Sequence, residues 1–352
     1  MQYEVTAPEN PDDVKATILS LLNRNFSETT DDWYQWSYRK NPFGQNSCWL
    51  VESEPGETVG MTGLMPREMK IGSQTYEVGQ AANISINKEH RSAQAAIKLQ
   101  RALLAKIVDS EIPVVFGITE TAVAVFRRTG YKVVGDLQRW TKPLRSEYKL
   151  QDRIQWKLPR KVAAYAVDQT LKFRSSELWN RCPQVFKTET VTKFDDRFDE
   201  LFSRNTDRRE VLIPRTNQFL SWRFGEEPKA VPQILTVSDS ENQLVGYLVY
   251  QLPTADSKHQ FAEINDFYFD DVAQFEILLA ELCRQLRATT VDAITLKYFG
   301  NPKVSAALMK FGFFQRPTGW KVLAFQNPKS DINSDFLLNE ENWQMTDAEI
   351  VF

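Results

Sequence analysis

The chain carries similar segments twice, and this internal repeat constrains the fold more than any other feature. Three pairs of segments show it: Trp-Ser-Tyr-Arg at 36–39 with Trp-Arg-Phe at 222–224, Val-Gly-Met at 59–61 with Val-Gly-Tyr at 245–247, and 126–131 with 308–313. The first two pairs are 186 positions apart and the third is 182 apart, so the offset drifts by only four residues. Solenoid repeats recur at roughly 20 to 50 residues. The longer period predicts a unit of about 150 residues used twice, as two tandem domains.

The length and the charge fit that prediction. At 352 residues the chain suits two domains of ordinary size and a connector. We predict an N-terminal domain at 1–145, a basic connector with a helix at 146–190, a C-terminal domain at 191–328 and a polar tail at 329–352. A net charge of −3 gives no reason to expect nucleic acid as a partner.

Few features of the sequence indicate a targeting signal or a metal site. The first residues lack the basic and then apolar pattern of a signal peptide, and no apolar run approaches the roughly 18 residues of a spanning helix. The three cysteines, Cys48, Cys182 and Cys283, are widely separated, as expected for reduced thiols. Because the chain has only two histidines, a polyhistidine metal site is excluded. We therefore expect a cytoplasmic protein without a metal.

Both units predict the same order of elements: a helix, an aromatic run, antiparallel strands, a helix, a strand, a helix and a last strand. In the first unit a long helix is predicted at 92–108, where Leu99, Leu103 and Ile107 share one face, ahead of a buried strand at 114–118. The corresponding helix and strand of the second unit are predicted at 272–287 and 293–297. The predicted fold class is α+β, with two tandem domains that each contain a mixed, mostly antiparallel sheet flanked by helices.

Four motifs in a fixed order carry a family resemblance. They are Trp-Ser-Tyr-Arg-Lys-Asn-Pro-Phe-Gly at 36–44, Val-Gly at 59–60, the strand-to-helix turn at Arg91 and Phe-x-x-x-Gly-Tyr at 126–131. With them the chain resembles the GNAT acyltransferase superfamily, and more closely its tandem members associated with polysaccharide biosynthesis. The resemblance covers nearly the whole chain, including the segment 342–347. It implies an N-acyltransferase that uses acetyl-CoA or another acyl-CoA as cosubstrate and a small amine, such as an amino sugar, as acceptor.

The resemblance also implies a cofactor site. In the family the fourth strand splays from the fifth, pantetheine pairs with the exposed strand, and the pyrophosphate lies on N–H groups at the start of the next helix. The implied cofactor residues are Ile84, Ile86, Arg91, Ser92, Ala93, Gln94, Ala95 and Ala96. Gln94 departs from the pattern because it stands where glycine normally allows close approach of the phosphates. In the second unit Asp270 and Asp271 occupy the equivalent turn, so repulsion is expected to exclude CoA and leave a degenerate partner.

Acyl transfer to an amine needs a base, an acid and donors for the oxyanion. The acid in the family is often a Tyr, but Phe126 stands at that position here, and Leu308 in the second unit. The usual carboxylate position on the fourth strand holds Asn83. The sequence candidates are therefore Glu120 as base or water relay, with Asn83 and Ser85 as polar contacts to the acceptor.

Three further residues are candidates for substrate binding: Trp36, Tyr38 and Asp266. The aromatic pair could stack on a sugar ring, and the alternative interpretation places both residues in the core. Asp266 could instead cap or pair locally. Asn83 and Ser85 have a similar alternative, as the outward face of a half-buried strand.

The basic connector leaves two interpretations open. Residues 142–174 contain nine Lys or Arg against three Asp or Glu, interleaved with aromatic residues. This pattern suits peripheral contact with an anionic membrane, and it equally suits a solvated helix between domains. Two rival functions also remain: a noncatalytic GNAT-like binding or scaffolding protein, which Gln94 and Phe126 favour, and a Fem-type aminoacyl ligase.

Overall fold

The computed structural model describes residues 3–26, 29–54, 56–91, 93–150, 154–180, 182–228, 231–254, 257 and 259–350. The strands are β1 Tyr3–Thr6, β2 Ser47–Ser53, β3 Glu57–Gly72, β4 Gln74–Ile86, β5 Val114–Thr119, β6 Lys132–Pro143, β7 Lys187–Val191, β8 Glu210–Leu212, β9 Gln233–Ser238, β10 Leu244–Gln251, β11 Phe261–Phe269, β12 Ala293–Gly300, β13 Phe314–Gln326 and β14 Gln344–Met345. The α-helices are α1 Lys15–Asn25, α2 Asp31–Tyr34, α3 Ala93–Val108, α4 Val123–Arg128, α5 Glu147–Leu150, α6 Lys157–Arg174, α7 Asp196–Arg204, α8 Asn217–Leu220, α9 Val272–Arg287, α10 Pro302–Lys310 and α11 Ser334–Leu337.

Short helical turns fill several connections. The 3₁₀ turns are Pro11–Val14, Lys88–His90, Ser176–Leu178, Glu340–Asn342 and Asp347–Glu349. Two π-helical turns, Gln35–Arg39 and Ser221–Gly225, directly follow α2 and α8. The predicted helices and strands occur in the predicted order, and β1, β7, β8 and β14 are strands that the sequence did not predict.

One sheet runs through both predicted units. Among the described residues, fourteen strands join it, in the spatial order β1, β2, β3, β4, β5, β13, β6, β12, β11, β10, β9 and β7, with β8 on β3 and β14 on β12. The pairs β4/β5 and β11/β12 are parallel, whereas the other ladders are antiparallel. The fold is thus a mixed α/β structure with a large, mostly antiparallel sheet and flanking helices. The division into two tandem domains stays a prediction, because the sheet is continuous across the predicted boundaries.

The centre of the sheet is made by strands that cross between the two halves of the chain. Strand β13, from the second half, lies between β5 and β6 of the first half. In return, β6 pairs with β12, from Gln138 opposite Tyr298 to Pro143 opposite Ala293. Each half of the sheet is therefore completed by a strand from the other half.

The repeated aromatic segments have matching local structures. Thr30 caps α2 through its hydroxyl and Thr216 caps α8 in the same way. Each helix then passes into a π-helical turn that carries a buried tryptophan, Trp36 or Trp222. The two indole rings stack at a centroid distance of 4.9 Å.

The segment predicted as a polar tail enters the core. Trp343, Met345, Ala348 and Ile350 are buried and belong to the largest hydrophobic cluster. Glu349 is held by an ion pair with Arg215 and accepts from the Thr346 N–H, which compensates for the removal of its carboxylate from water.

Candidate active site

A splay between β4 and β5 creates the main opening in the sheet. The two strands pair in parallel only from Gly79 opposite Val115 to Ala81 opposite Gly117. Beyond that point β4 continues to Ile86 beside β3 and leaves β5. The backbone edge of β4 after Ala81 therefore no longer pairs with β5 and is available to a ligand.

A β-bulge at Asn83 shapes this edge. The register between β3 and β4 shifts between Met61 opposite Ser85 and Gly63 opposite Ala82, so that two residues of β4 face one residue of β3. Asn83 has a φ of 56°, which is uncommon for a residue other than glycine and which asparagine tolerates better than most. A bulge re-aims the backbone away from the ladder, so it turns polar groups of β4 toward the opening.

The splay opens into a cavity of about 440 Å³. Its lining comes from β4 (80–84), the end of β5 and the following turn (118–121), and the α1–α2 region, with Phe126, Trp320 and Ile350 added from farther along the chain. Most of these side chains are apolar. Binding pockets are typically apolar with a few placed polar groups, and this cavity has that character.

Two of the predicted catalytic residues reach this cavity and one does not. Asn83 lines it, and Glu120 lies at the C-terminal end of β5 with an exposed side chain that packs against Gly319. Ser85 is buried, and its hydroxyl donates a hydrogen bond to the carbonyl oxygen of Leu21 at 3.0 Å. This bond ties β4 to α1, so Ser85 is engaged in the core and is not placed to contact an acceptor.

Phe126 forms part of the cavity wall. Its ring packs on Gly117 and lies 4.6 Å from the ring of Tyr131. Tyr131 is buried, and burial raises the pKa of its hydroxyl far above the ordinary value. Neither residue supplies a readily ionised acid to the cavity.

The predicted phosphate turn lies at the start of α3. The Arg91 guanidinium is exposed, and it donates to Asn25 Oδ1 at 2.9 Å and to the Ile86 carbonyl at 3.2 Å. The Gln94 side chain is exposed, whereas Ala95 and Ala96 are buried on the inner side of the helix. Ser92 and the side chain of Ala93 lie outside the described residues. Of the two predicted pantetheine contacts, Ile84 lines the cavity and Ile86 is half-buried beside the core under α3.

A buried polar chain supports the floor of the cavity. Gln80, which lines the cavity, donates to the Glu349 carbonyl at 2.6 Å and accepts from Arg67 Nε at 3.0 Å. Burial, together with the nearby Arg223, lowers the pKa of the Arg67 guanidinium to about 9, and the Glu349 carboxylate opposes this effect. The sequence did not predict these hydrogen bonds, because the residues that form them are far apart in sequence and no local spacing connects them.

The equivalent splay in the second half is filled by the chain itself. Strands β11 and β12 pair in parallel only as far as Ile264 opposite Leu296. Beyond that point β14 pairs with β12, with Met345 opposite Phe299, and Gln344 Nε2 donates to the Phe267 carbonyl of β11 at 3.1 Å. A side chain at Gly300 would overlap the Trp343 carbonyl, so the segment is packed closely against the strand.

The start of α9 is also occupied by its own side chains. Asp271 caps the helix in a capping box with Gln274. Asp270 accepts hydrogen bonds from Asn205 at 2.6 Å and Arg204 at 3.2 Å. The N-terminal N–H groups that would receive an anion are therefore faced by carboxylates.

The three predicted substrate-binding residues are buried and do not belong to the lining of the cavity. Trp36 stacks on Trp222, and Tyr38 stacks on Tyr34 at 4.6 Å. Asp266 forms an ion pair with Arg215 at 3.0 Å and accepts from the Tyr247 hydroxyl at 2.8 Å. These side chains have no exposed surface for a substrate to contact, so the core and local-pairing alternatives describe them.

The described part of the chain has neither a metal-binding cluster nor a membrane-spanning helix. There, no group of three or more His, Cys, Asp or Glu side chains could hold a metal ion. In the same residues, no helix is both long and apolar enough to cross a membrane.

One segment of the chain matches a known domain family. Residues 10–134 match the model of the acetyltransferase (GNAT) domain. No curated protein matches the chain by sequence.

Solved structures with this fold cover nearly the whole chain. A protein from Enterococcus faecalis, described as a probable N-acyltransferase, aligns with a TM-score of 0.66 at 12% identity over 93% of this chain and 73% of its own. A GCN5-related N-acetyltransferase from Anabaena variabilis aligns with a TM-score of 0.64 at 16% identity, over 92% and 72%. The N-myristoyltransferase of Saccharomyces cerevisiae, solved with myristoyl-CoA, aligns with a TM-score of 0.55 at 14% identity, over 100% and 85%. The chain thus has a GNAT-like fold, and its residues 10–134 match the GNAT domain model.

Proposed function

We propose that this protein is an acyl-CoA-dependent N-acyltransferase whose site is the cavity between β4 and β5. The observation that carries the proposal is the splay itself, because it frees the edge of β4 beside a bulge at Asn83. Pantetheine would pair with that edge, and the pyrophosphate would lie at the start of α3 near Arg91. The myristoyl-CoA in the yeast N-myristoyltransferase supports an acyl-CoA cosubstrate for this fold.

Each residue at the cavity has a proposed part in the reaction. The amine attacks the thioester carbonyl, the N–H groups of the β4 bulge stabilise the oxyanion, and CoA leaves as the thiol. Glu120, exposed beside the cavity, removes the ammonium proton directly or through a water molecule. Because Phe126 has no hydroxyl, the proton for the leaving thiolate comes from solvent.

The side chains that line the cavity indicate which kind of acceptor it would bind. An amino sugar is the acceptor that the family resemblance implies, but a sugar needs several hydrogen-bonding partners. The walls include Phe26, Trp33, Ile118 and Trp320, and ten of the sixteen lining residues are apolar. This lining favours an amine attached to an apolar or aromatic group.

We further propose that the two halves of the chain arose as a tandem pair and that the second half does not bind CoA. The matched turns around Trp36 and Trp222 support the pair. The segment 343–350 in the second splay, and the carboxylates at the start of α9, support the loss of CoA binding.

The test is CoA thiol release from acetyl-CoA in the presence of amines. We expect turnover with phenethylamine or tryptamine to exceed turnover with glucosamine, and Glu120→Gln to lower kcat by roughly 10²-fold or more. Glu111→Gln, an exposed carboxylate in the turn before β5, is the matched control and should leave kcat unchanged. Glucosamine as the best substrate would contradict the acceptor proposal. Turnover that Glu120→Gln does not alter would contradict the role of Glu120.

A separate variant tests the alternative that the protein is noncatalytic. Substituting Gln94→Gly restores the usual glycine at the phosphate turn. If the native protein binds no acetyl-CoA while this variant does, the native turn has lost its cofactor and the binding or scaffolding interpretation is favoured.

A further inference from the structure

Helix α6 is almost entirely unburied. It spans 18 residues, and Ala164 is its only buried side chain in the described structure. The inner side rests on the α5 region, where the Ser146 hydroxyl donates to the Ala164 carbonyl at 3.2 Å and Arg160 pairs with Glu147 at 3.4 Å. The helix is therefore held along one side, and the opposite side faces solvent.

Large apolar side chains form a stripe on that exposed side. They are Leu158, Val162, Tyr165 and Phe173, which are 76%, 65%, 68% and 66% exposed. Their spacing of four, three and eight residues places them on one face, because an α-helix turns 100° per residue. The stripe extends about 22 Å along the helix. An exposed apolar face of this length marks an interaction surface.

Basic residues accompany the stripe. Lys157 and Lys161 are exposed beside it, and α6 carries five Lys or Arg against one Asp, although the whole chain has a net charge of −3. Trp156 and Trp179, at 79% and 76% exposure, stand just before α6 and shortly after it. Tryptophan prefers the boundary between lipid and water, and lysine can bury its stem while its ammonium group stays at the headgroups.

We propose that the outer face of α6, made of Leu158, Val162, Tyr165 and Phe173 with Lys157 and Lys161, binds an anionic lipid surface. An apolar stripe flanked by lysines suits a helix that lies in the plane of the membrane interface. The charge argues against a second copy of this chain as the occupant, since a two-fold contact through α6 would bring two basic helices together. Attraction to anionic headgroups adds to the burial of the stripe.

The test uses the full-length protein and co-sedimentation with vesicles of phosphatidylcholine, with or without phosphatidylglycerol. We expect binding to the anionic vesicles, weaker binding to the neutral ones, and a further loss when salt is raised. Tyr165→Ala/Phe173→Ala and Lys157→Glu/Lys161→Glu should each weaken binding to anionic vesicles by about tenfold or more.

The control is Met309→Ala/Phe314→Ala, which removes two exposed apolar side chains from other elements. It should bind vesicles as the native protein does. All variants change exposed residues, so circular dichroism should show an unchanged fold.

Three results would overturn the proposal. One is absence of binding to anionic vesicles, and another is equal binding by the native protein and both α6 variants. The third is a concentration-dependent dimer, seen by sedimentation velocity, that the Tyr165→Ala/Phe173→Ala variant abolishes, because it would make the stripe a self-association surface.

Discussion

Trp36 and Trp222 bind each other through a reciprocal pair of hydrogen bonds. The Trp36 indole N–H donates to the Trp222 carbonyl at 2.8 Å, and the Trp222 indole N–H donates to the Trp36 carbonyl at 3.1 Å. The two indole rings are stacked, and their planes are 13° from parallel. The two residues are 186 positions apart, so the two repeated segments of the sequence contact each other here.

This contact predicts equivalent losses of stability for matched substitutions. Trp36→Ala and Trp222→Ala should each reduce the free energy of unfolding by about 3–5 kcal/mol, because both remove a buried ring. Trp36→Phe keeps a smaller aromatic ring and leaves the buried Trp222 carbonyl without its indole donor, so a smaller loss of about 1–3 kcal/mol is expected. Urea unfolding of the variants measures these values, and a near-neutral Trp222→Ala beside a severe Trp36→Ala would contradict the equivalence.

The wall of the cavity predicts that Gly117 cannot accept a side chain. A Cβ at this position would lie 2.6 Å from Phe126 Cε1, so Gly117→Ala must displace a ring that is packed on Tyr131. Such overpacking typically costs about 1–3 kcal/mol. Gly225→Ala is the matched control, since its Cβ would meet no atom within 4 Å. Urea unfolding should show a loss for Gly117→Ala and a change within about 0.5 kcal/mol for Gly225→Ala.

The filled second splay predicts a strong effect at Gly300. This residue has a φ of 132°, and a Cβ there would overlap the Trp343 carbonyl. Gly300→Ala should therefore loosen the segment 343–350 and cost several kcal/mol, about 3 or more. Limited proteolysis should cut the C-terminal segment faster in this variant than in the native protein, and unchanged proteolysis with unchanged stability would contradict the packing.

Asp347 predicts a pH dependence of stability. Burial raises the pKa of its carboxyl to about 6, although the Lys297 ammonium at 2.8 Å opposes the rise. A carboxyl with a raised pKa binds its proton more readily in the folded state than in the unfolded chain. Its contribution to stability is thus fully present below about pH 4 and is lost as pH rises through about 6.

The measurement compares the native protein with Asp347→Asn, which does not titrate. The free energy of unfolding of the native protein relative to this variant should be lower at pH 7.5 than at pH 4.5, by about 2 kcal/mol. Asp109→Asn removes an exposed carboxyl after α3 and should show a much smaller pH dependence. A difference with the opposite sign would rule out this account of Asp347.

Local elements could be predicted from the sequence because their signals are local. Helix α9 was predicted at 272–287 and spans Val272–Arg287, since its apolar face is continuous and Asp271 caps its start. The strand crossing at the centre of the sheet could not be predicted. Strand pairing depends on the path of the chain, and β13 shows the same pattern whether it borders β5, β6 or both.

Residues of the candidate site could be proposed from the sequence only where the family resemblance reached them. Asn83 and Glu120 lie at the cavity, and the resemblance named both. Trp320 and Ile350 also line it, but they come from the second half of the chain and from a polar segment, so no spacing links them to β4. The sequence predicted that Ser85 contacts the acceptor. It does not, because the alternation of side chains along β4 does not show which face of the strand α1 covers.

Calorimetric titration with acetyl-CoA tests directly whether the cavity between β4 and β5 binds CoA, with the native protein compared with Arg91→Glu and Lys303→Glu. Arg91 lies at the start of α3, whereas Lys303 is an exposed cation in the first turn of α10. We expect one acetyl-CoA per chain with micromolar affinity, a loss of affinity of roughly tenfold or more for Arg91→Glu, and no change for Lys303→Glu. Absence of binding to the native protein, or binding that Arg91→Glu leaves intact, would contradict a CoA site between β4 and β5.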